Sequence, residues 1–569
     1  MDISTSNRFG SDDAETPMLE NIAVDYKGRP AYRFSSGGWR SAAFIIGVEI
    51  GERFAYYGIS GNLIMYLTGP LRQSTASAAA SVNAWGGVAS LLPLLGAFVA
   101  DTFLGRYRTI ALATLLYILA LGLLTLSAVL LSSSGSDSQT KDIVSCSPPL
   151  FQVILFFFSL YLVAFAQGGH KPCTQAFGAD QFDGDDPEEC KSKSSFFNWW
   201  YLGVCFGAMV TIAIVSYIQE NLSWALGFGI PCIAMVIVLV VFFLGTTTYR
   251  FTITHNEEGP FVRIGRVFAA AFKNRRRTPS IIANEVEVVS HQGSEQYKFL
   301  NKALIARNHL KENGWVCSVA EVEEAKAVLR LVPIWGTCLP YGIVFAQFST
   351  FFTKQGATME RTIVSDFKLP AASLLCFISI ASIIFIPIYD RIFVPFARAL
   401  TRKPSGITTI QRIGAGILMS VFTMIIAAIV EIKRLKTAEE NNLVDKPSAT
   451  IPMSVWWLLP QYILSGITDV FTMVGLQEFF YDEVPIELRS IGLALYLSIF
   501  GVGNFLSSFL VSVIEKTTGG AGRDSWFSDN LNRAHLDYFY WLLAGLSALG
   551  FAAYFHFARS YIYNRSGTM

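Results

Sequence analysis

Residues 42–68 read AAFIIGVEIGERFAYYGISGNLIMYLT, an apolar run that carries Glu49, Glu52 and Arg53 in its middle. A helix that crosses about 30 Å of hydrocarbon needs about 20 apolar residues, and this stretch is long enough to do so. Each charge near the middle of a membrane costs about 2.5–3.5 kcal/mol on insertion scales. Such residues therefore face a bundle interior or a water-filled cavity, where they pair with one another.

The rest of the chain has the same apolar character. Its 569 residues are 52% hydrophobic and only 15% charged, with a mean hydropathy of +0.42. Soluble domains usually carry about a quarter charged residues. Apolar runs of helix length recur along almost the whole chain, which indicates an all-α, multi-pass integral membrane protein. We predict twelve spans, near 42–68, 76–100, 109–132, 150–177, 196–218, 223–246, 327–352, 368–389, 408–432, 453–480, 488–514 and 537–562.

The spans form two sets of six, separated by a polar stretch. Basic residues are enriched in cytosolic loops, and the basic loops after the second, sixth and eighth spans place both termini in the cytosol. The segment EIKRLK at the end of the ninth span disagrees, because it puts three basic residues outside. The sequence leaves open whether the plasma membrane or the vacuolar membrane holds the protein. The predicted regions are a cytosolic tail (1–39), an N-terminal bundle (40–246), a cytosolic linker (247–326), a C-terminal bundle (327–563) and a short cytosolic tail (564–569).

The charges of the first span lie on one helical face, because Glu49 precedes Glu52 by three residues and Arg53 by four. The guanidinium can neutralise one carboxylate and leave the other able to take up a proton. This arrangement predicts a proton-coupling site, and the alternative is an ion pair that only fixes packing. Lys171, near the cytosolic end of the fourth span, either faces the same cavity or extends to the membrane surface.

Two further polar residues lie inside predicted spans. Asp469 lies well inside the tenth span, and Gln347 lies deep in the seventh. An ionisable residue within a membrane span is a functional candidate by default. We predict that substrate contacts these two residues, Lys171 and an aromatic lining that consists of Tyr56, Tyr57, Trp335, Tyr341 and Phe345.

Other function classes lack support in the sequence. A net charge of +1 does not suggest a nucleic-acid partner, and the eight cysteines show neither a CxxC pair nor metal-ligand spacing. No nucleophile motif accompanies the buried charges, so we do not predict an enzyme. The expected partners are protons, a small-molecule substrate and the lipid bilayer, with no metal or organic cofactor, and we expect a monomer.

Two loops resemble the cytosolic signature of the major facilitator superfamily. GAFVADTFLGRYRT contains Asp101 and Arg106 after the second span, and IYDRIFVPFARAL contains Asp390 and Arg391 after the eighth. In that superfamily the Asp pairs with Arg and with a neighbouring helix end, and so latches one conformation. Four further segments resemble a narrower group. They are ERFAYYGISGNLIMYLT, GGHKPCTQAFGADQFD, SSFFNWWYLGVCFGA and QEFFYDEVPIELRSIGLAL. The group that they resemble is the plant branch of the nitrate and peptide transporter family, which belongs to the proton-dependent oligopeptide transporters.

This resemblance extends from about residue 25 to about residue 563, and it implies the major facilitator fold, two six-helix bundles around a central site. It also implies that the ExxER motif couples protons together with Lys171. The chain departs from relatives at Asp469, where the family usually has Glu, at Phe345, where some nitrate transporters have His, and at Ser60, where bacterial peptide transporters often have Arg. The predicted function is a proton-coupled symporter of a di- or tripeptide, nitrate or an organic anion. The alternative is a ligand-binding membrane sensor without net transport.

Overall fold

Long helices make up most of the chain. The computed structural model describes residues 23–32, 36–136, 148–183, 186–252, 260–275, 297–304, 317–364, 367–393, 395–396, 399, 407–485, 488–520 and 524–561. The helices of the N-terminal half are α1 (Gly38–Ser60), α2 (Leu63–Thr68), α3 (Thr75–Val99), α4 (Arg106–Ser136), α5 (Leu150–Ala179), α6 (Pro187–Asn221) and α7 (Trp224–Leu244). Short turns of π-helix (Ala100–Leu104) and 3-10 helix (Gly245–Thr248) extend α3 and α7.

The linker contributes α8 (Pro260–Lys273) and a 3-10 helix (Lys298–Leu304). The C-terminal half consists of α9 (Val319–Phe345), α10 (Phe351–Ala357), α11 (Cys376–Ile388), α12 (Thr409–Glu440), α13 (Leu459–Asp482), α14 (Arg489–Thr518) and α15 (Leu536–Ser560). Its irregular turns are 3-10 helices at Ala371–Leu375 and Val455–Leu458 and a π-helical turn at Tyr389–Phe393.

Three small strand pairs connect segments outside the helices. Strand β1 (Ala23–Val24) pairs antiparallel with β2 (Phe251–Thr252), which joins the N-terminal segment to the end of the sixth span. The other two pairs lie in the C-terminal half. They are β3 (Met359–Glu360) parallel to β6 (Ile451–Ser454), and β4 (Thr362–Val364) antiparallel to β5 (Phe367–Lys368).

Among the described residues, eleven helices are long and apolar enough to cross a membrane, namely α3–α7, α9 and α11–α15 with their adjoining turns. The helix α1 is of similar length but holds Glu49, Glu52 and Arg53 near its centre, so its composition differs from that of the eleven. With α1 the halves contain six long helices each. The prediction of an all-α, multi-pass membrane protein is confirmed.

The two halves meet closely along α3 and α14. A Cβ atom on Gly87 of α3 would lie 3.1 Å from the carbonyl oxygen of Gly501 on α14. We call the end where α7 ends and α9 begins the linker side, and the end where α3 begins and α9 ends the far end.

The ninth span is longer than predicted. Helix α12 continues to Glu440, so the segment EIKRLK lies within the helix and not in a loop after residue 432. Arg434 of this segment is buried and lies 2.6 Å from Glu431. These two residues are three apart on one helical face, so each charge provides the partner that lets the other be buried. The side of the membrane on which the three basic residues lie stays a prediction.

Candidate functional site

Glu49, Glu52 and Arg53 form one buried ion cluster on α1. Arg53 Nε lies 2.9 Å from Glu49 Oε1, and Arg53 Nη2 lies 2.7 Å from Glu52 Oε2. All three side chains are buried. Glu49 Oε2 and both carboxylate oxygens of Glu52 accept no hydrogen bond from the described residues, although Glu52 Oε2 lies within ion-pair distance of Arg53. Two carboxylates therefore share one cation, as the helical spacing predicted, and protein donors do not satisfy all of their oxygens.

Close packing holds α1 in one rotational position. A Cβ atom on Gly51 would lie 2.2 Å from Cγ2 of Val238 on α7, so only glycine fits there without movement. On the α6 side, a Cβ atom on Gly207 would lie 3.1 Å from the carbonyl oxygen of Ile50. Because protein interiors pack at crystal-like density, these contacts fix where α1 presents its three charged side chains.

Lys171 on α5 interacts electrostatically with all three charged groups of this cluster. Within the described part of the chain, no carboxylate forms a direct ion pair with its ammonium group, and the side chain is half-buried. Two negative and two positive groups thus give the four-residue site a formal charge of zero. The structure brings together the four residues predicted to couple protons.

The predicted aromatic residues of α1 lie beside this cluster. The Tyr56 ring is 5.8 Å from the Arg53 guanidinium and stacks on Trp85 of α3 at 5.6 Å. Tyr57 meets the ring of Tyr56 edge-on at 5.3 Å. Tyr57 also interacts electrostatically with Asp469 of the C-terminal half. The predicted residues of the two halves therefore face the same region.

Asp469 on α13 accepts a hydrogen bond from the Tyr341 hydroxyl at 2.7 Å. Next to this pair, Phe500 on α14 lies 6.0 Å from Tyr341, 5.0 Å from Phe345 and 5.5 Å from Tyr496. We did not predict Tyr496 and Phe500 as site residues. Their spacing of four within an apolar span, in ALYLSIF, places two aromatic rings on one helical face and is the signal that could have identified them.

Two other predicted substrate contacts make hydrogen bonds to α14. The Trp335 indole donates to Ser498 Oγ at 2.8 Å. The Gln347 amide is fully buried and donates to Ser507 Oγ at 2.9 Å. Asn83 of α3 donates to the same hydroxyl at 2.9 Å. In this conformation, Gln347 therefore lies at the contact between the two halves.

Further polar contacts join the halves at the far end. In the N-terminal half they involve α2, the first residue of α3 and the end of α6, and in the C-terminal half α10 and the segments after β3 and after α14. The atom pairs are Lys354 Nζ with Thr68 Oγ1 at 3.1 Å, the Thr75 amide with Asp529 Oδ1 at 2.7 Å, and Arg361 Nη1 with Glu220 Oε2 at 3.0 Å. These contacts close the far end in this structure.

The predicted conformational latch is described only in part. The side chains of Asp101 and Asp390 lie outside the described residues, and Arg391 is exposed. Arg106 pairs with Asp180 at the end of α5, at 2.5 Å. We did not predict Asp180 as a partner, although its segment GADQFD follows directly on the fourth span. The latch stays a prediction.

The C-terminal half contains a second buried charge pair, Glu431 and Arg434 on α12. Arg434 Nη2 lies 2.6 Å from Glu431 Oε1, and Arg434 Nε lies 2.8 Å from Glu431 Oε2. The guanidinium also donates to the Leu531 carbonyl at 2.6 Å and to Asn532 Oδ1 at 3.0 Å. The Gln355 amide donates to Glu431 Oε2 at 2.8 Å. This pair, unlike the α1 cluster, is fully hydrogen-bonded.

Comparison with known proteins shows sequence similarity over the whole chain. The model of the POT family matches residues 107–527. Protein NRT1/PTR FAMILY 5.10 of Arabidopsis thaliana is 64% identical, with 98% of this chain and 99% of that protein covered. Protein NRT1/PTR FAMILY 5.14 of the same plant is 57% identical, with 95% and 96% covered.

Solved structures show the same fold. An auto-inhibited POT family peptide transporter matches with a TM-score of 0.69 at 21% identity, covering 93% of this chain and 99% of that one. The POT family transporter PepTSo matches with a TM-score of 0.68 at 21% identity, covering 92% and 98%. The predicted major facilitator fold and the predicted family resemblance are both confirmed. The similarity to transporters supports transport as the function and does not favour a sensor.

Proposed function

Because the chain belongs to the POT family, we propose that it is a proton-coupled symporter that moves a small nitrogenous or anionic solute by alternating access. The candidate solutes are di- or tripeptides, nitrate and organic anions. The single observation that supports proton coupling best is the cluster on α1, in which Glu49 and Glu52 share Arg53 while three of their oxygens accept no hydrogen bond from the described residues.

A proton relieves two unfavourable features of this cluster. It removes the repulsion between two buried carboxylates, and it supplies one missing hydrogen. An unsatisfied buried polar group costs about 1–3 kcal/mol, so protonation of Glu49 or Glu52 has a substantial driving force. The neutral carboxyl then holds Arg53 less strongly, and the guanidinium becomes available to another partner.

The charge balance couples this proton to an anionic group. Before protonation, the charges of Glu49, Glu52, Arg53 and Lys171 sum to zero, and one added proton makes the site positive. A nitrate ion or a substrate carboxylate next to Lys171 compensates that charge. Because linkage is reciprocal, the proton and the anionic group each raise the affinity for the other. Joint binding of this kind is what a symporter requires.

The far-end contacts define the state from which the cycle proceeds. We propose that the linker side faces the cytosol, so a protein closed at the far end is closed toward the outside. Loading from outside then requires the contacts between the halves through Lys354, Arg361 and Asn83 to break. The two halves rock around the central residues to close the linker side in turn.

A solute with both an amine and an acid group fits the site best. Lys171 of the N-terminal half and Asp469 of the C-terminal half carry opposite charges, and one solved POT family relative is in complex with 5-aminolevulinic acid, which has both groups. An organic anion or nitrate would use Lys171 or Arg53 alone, because Phe345 and Ser60 carry no charge. Either kind of solute requires the proton-coupling cluster.

Two-electrode recording in oocytes tests the proposal, with nitrate, dipeptides and organic acids applied at acidic and neutral pH. We expect substrate-evoked inward current that is larger at acidic pH. Glu52→Gln and Lys171→Ala should abolish proton-driven uptake while surface expression persists. The matched control is Lys436→Gln, which changes a side chain that is 72% exposed at the far end. Full pH dependence in either site variant would contradict the coupling role.

Asp469→Asn separates the solute classes. If the solute is zwitterionic, this change removes the partner of its amine and should lower affinity by about tenfold or more, since hydrogen bonds to charged groups contribute about 1.5–3 kcal/mol. If the solute is nitrate, affinity should change little. Saturable binding of a solute without any evoked current would instead support a sensor.

A further inference from the structure

We propose that the linker helix α8 and the adjoining 3-10 helix form a docking surface for acidic phospholipids of the leaflet on the linker side. This surface, which we call the linker patch, consists of Val262, Phe272, Lys273, Arg275, Lys298 and Phe299. The proposal does not depend on which solute is transported.

One face of α8 is fully used in packing. Val267, Ala270 and Ala271 form a core with Leu300 and Ala303 of the 3-10 helix and with Cys317, Val322 and Ala325 at the start of α9. Arg263 and Arg266 lie 3.6 Å from Glu324 and 3.8 Å from Glu321, respectively. The helix is therefore fixed to the linker-side end of the seventh span in a defined orientation.

The opposite face of α8 is apolar and exposed. Phe272 is 68% exposed and Val262 is 45% exposed, although both are hydrophobic. Phe299, 52% exposed, lies close to the end of α8. Lys302, one turn of 3-10 helix further on, donates to the Arg275 carbonyl at 2.5 Å. Exposed aromatic residues clustered in this way are typical of a contact surface and not of a face in water.

The charged side chains of α8 and of the adjoining 3-10 helix all have one sign. Residues 260–275 contain four basic residues and residues 297–304 contain two, with no acidic residue in either range. Arg263 and Arg266 face glutamates of α9, and the side chains of Lys273, Arg275 and Lys298 are exposed to solvent, whatever other contacts they make. The Arg275 guanidinium lies 4.4 Å from the ring centre of Phe272, so cation and aromatic ring are adjacent. Apolar side chains flanked by cations are typical of helices that lie in the headgroup region of an acidic membrane.

The position of α8 next to a membrane span agrees with phospholipid as the partner. The ring of Phe261 lies 6.3 Å from that of Phe98, one residue before the linker-side end of α3. The apolar span that contains α3 continues through the π-helical turn to Leu104 on the linker side. The first turn of α8 thus lies beside the last turns of a membrane span, close to the surface of the leaflet on the linker side.

The test uses the full chain in lipid nanodiscs. A bimane label on Phe272→Cys reports contact with lipid through quenching by brominated phosphatidylcholine, and contact with water through quenching by iodide. The described cysteines are buried or half-buried, and the unsubstituted chain gives the background labelling. The discs contain phosphatidylcholine alone or mixed with phosphatidylserine. A label on Ser560→Cys, also exposed on the linker side, is the control position.

In discs with phosphatidylserine, we expect strong bromolipid quenching and weak iodide quenching at position 272, and no lipid dependence at position 560. Each neutralised cation, in Lys273→Gln, Arg275→Gln or Lys298→Gln, should lower the ratio of docked to undocked label about fivefold. High salt should have a similar effect. The far-end control Lys436→Gln should leave the ratio unchanged.

Three outcomes would overturn the proposal. Equal quenching by iodide in both lipid mixtures would show that the face stays in water. Protection from iodide without bromolipid quenching would show that another segment of the chain covers it. Protection that appears only in discs with two protein copies would identify a second copy as the partner.

Discussion

Arg434→Met removes the central donor of the buried network on α12. In the structure this guanidinium donates to both oxygens of Glu431, to the Leu531 carbonyl and to Asn532 Oδ1. Met fills a similar volume without charge. The variant leaves the Glu431 carboxylate buried with only the Gln355 amide as a donor.

The expected cost is large, since removing one partner of a buried ion pair usually destabilises a protein by about 3–5 kcal/mol. Replacing both charges, in Glu431→Leu with Arg434→Met, removes the unpaired carboxylate and leaves only neutral groups without partners. Since such groups cost about 1–3 kcal/mol each when buried, we expect the double variant to be more stable than Arg434→Met alone.

Thermal melting of the purified protein in detergent, followed by tryptophan fluorescence at one fixed heating rate, measures both effects. A loss of about 4 kcal/mol corresponds to a fall in the apparent Tm of roughly 3 °C if the whole chain melts as one unit, and of roughly 8 °C if the C-terminal half melts by itself. The matched control is Lys436→Met, which also replaces a basic residue of α12 by Met but at an exposed site, and which should change the stability by no more than about 0.5 kcal/mol. If Arg434→Met has the same apparent Tm as Lys436→Met, or if the double variant has the lowest Tm of all, the network does not stabilise the fold as described.

Three further changes test other parts of the structure. Gly51→Ala places a methyl group 2.2 Å from Val238 Cγ2 and should cost about 1–3 kcal/mol through overpacking. Adding Val238→Ala should restore the Tm, and a double variant no better than the single one would contradict the contact. Arg361→Gln breaks the 3.0 Å ion pair with Glu220 and should shift the equilibrium toward opening of the far end by roughly fivefold. Spin labels on the two halves should then lie farther apart. An unchanged distance between the labels would show that the pair does not hold that end closed. Hydrogen bonds from the backbone amides and side chain of its own turn, first of all the Arg29 amide, lower the pKa of Asp25 below its ordinary value. The turn that follows β1 should therefore keep its full stability at neutral pH, weaken as the pH falls below the ordinary pKa of an aspartate, and lose this contribution below the lowered pKa. Asp25→Asn should speed trypsin cleavage in this turn at neutral pH, and cleavage of the unsubstituted chain that accelerates already near pH 6 would argue against the carboxylate.

Local spacing allowed the α1 cluster to be predicted from the sequence. Residues three and four apart on a helix are neighbours whatever the tertiary structure, so the sharing of Arg53 by Glu49 and Glu52 follows once the segment is helical. The same reasoning applies to Glu431 and Arg434. We missed that pair because three basic residues in EIKRLK indicated a loop, whereas one of them is neutralised within the helix.

Contacts between distant segments could not be predicted in this way. Tyr341 and Asp469 are 128 residues apart, and Arg361 and Glu220 are 141 apart. Their pairing depends on how whole helices pack, which a single sequence does not specify. The buried position of Gln347 at the contact of the halves has the same origin. Depth in the membrane indicated that the residue is important, but not whether it meets the solute or the other half.

The two buried charge clusters differ in a way that supports the different roles proposed for them. Arg434 and Glu431 have protein partners for each of their charges, so a change of protonation there would break several hydrogen bonds at once. In the α1 cluster, two carboxylates compete for one guanidinium, and three of their oxygens accept no hydrogen bond from the described residues. A proton can therefore join that cluster without breaking a hydrogen bond in it. The number of donors around each carboxylate, and not the mere presence of charge in the membrane, is thus the feature that separates the α12 pair from the cluster that we propose to exchange protons.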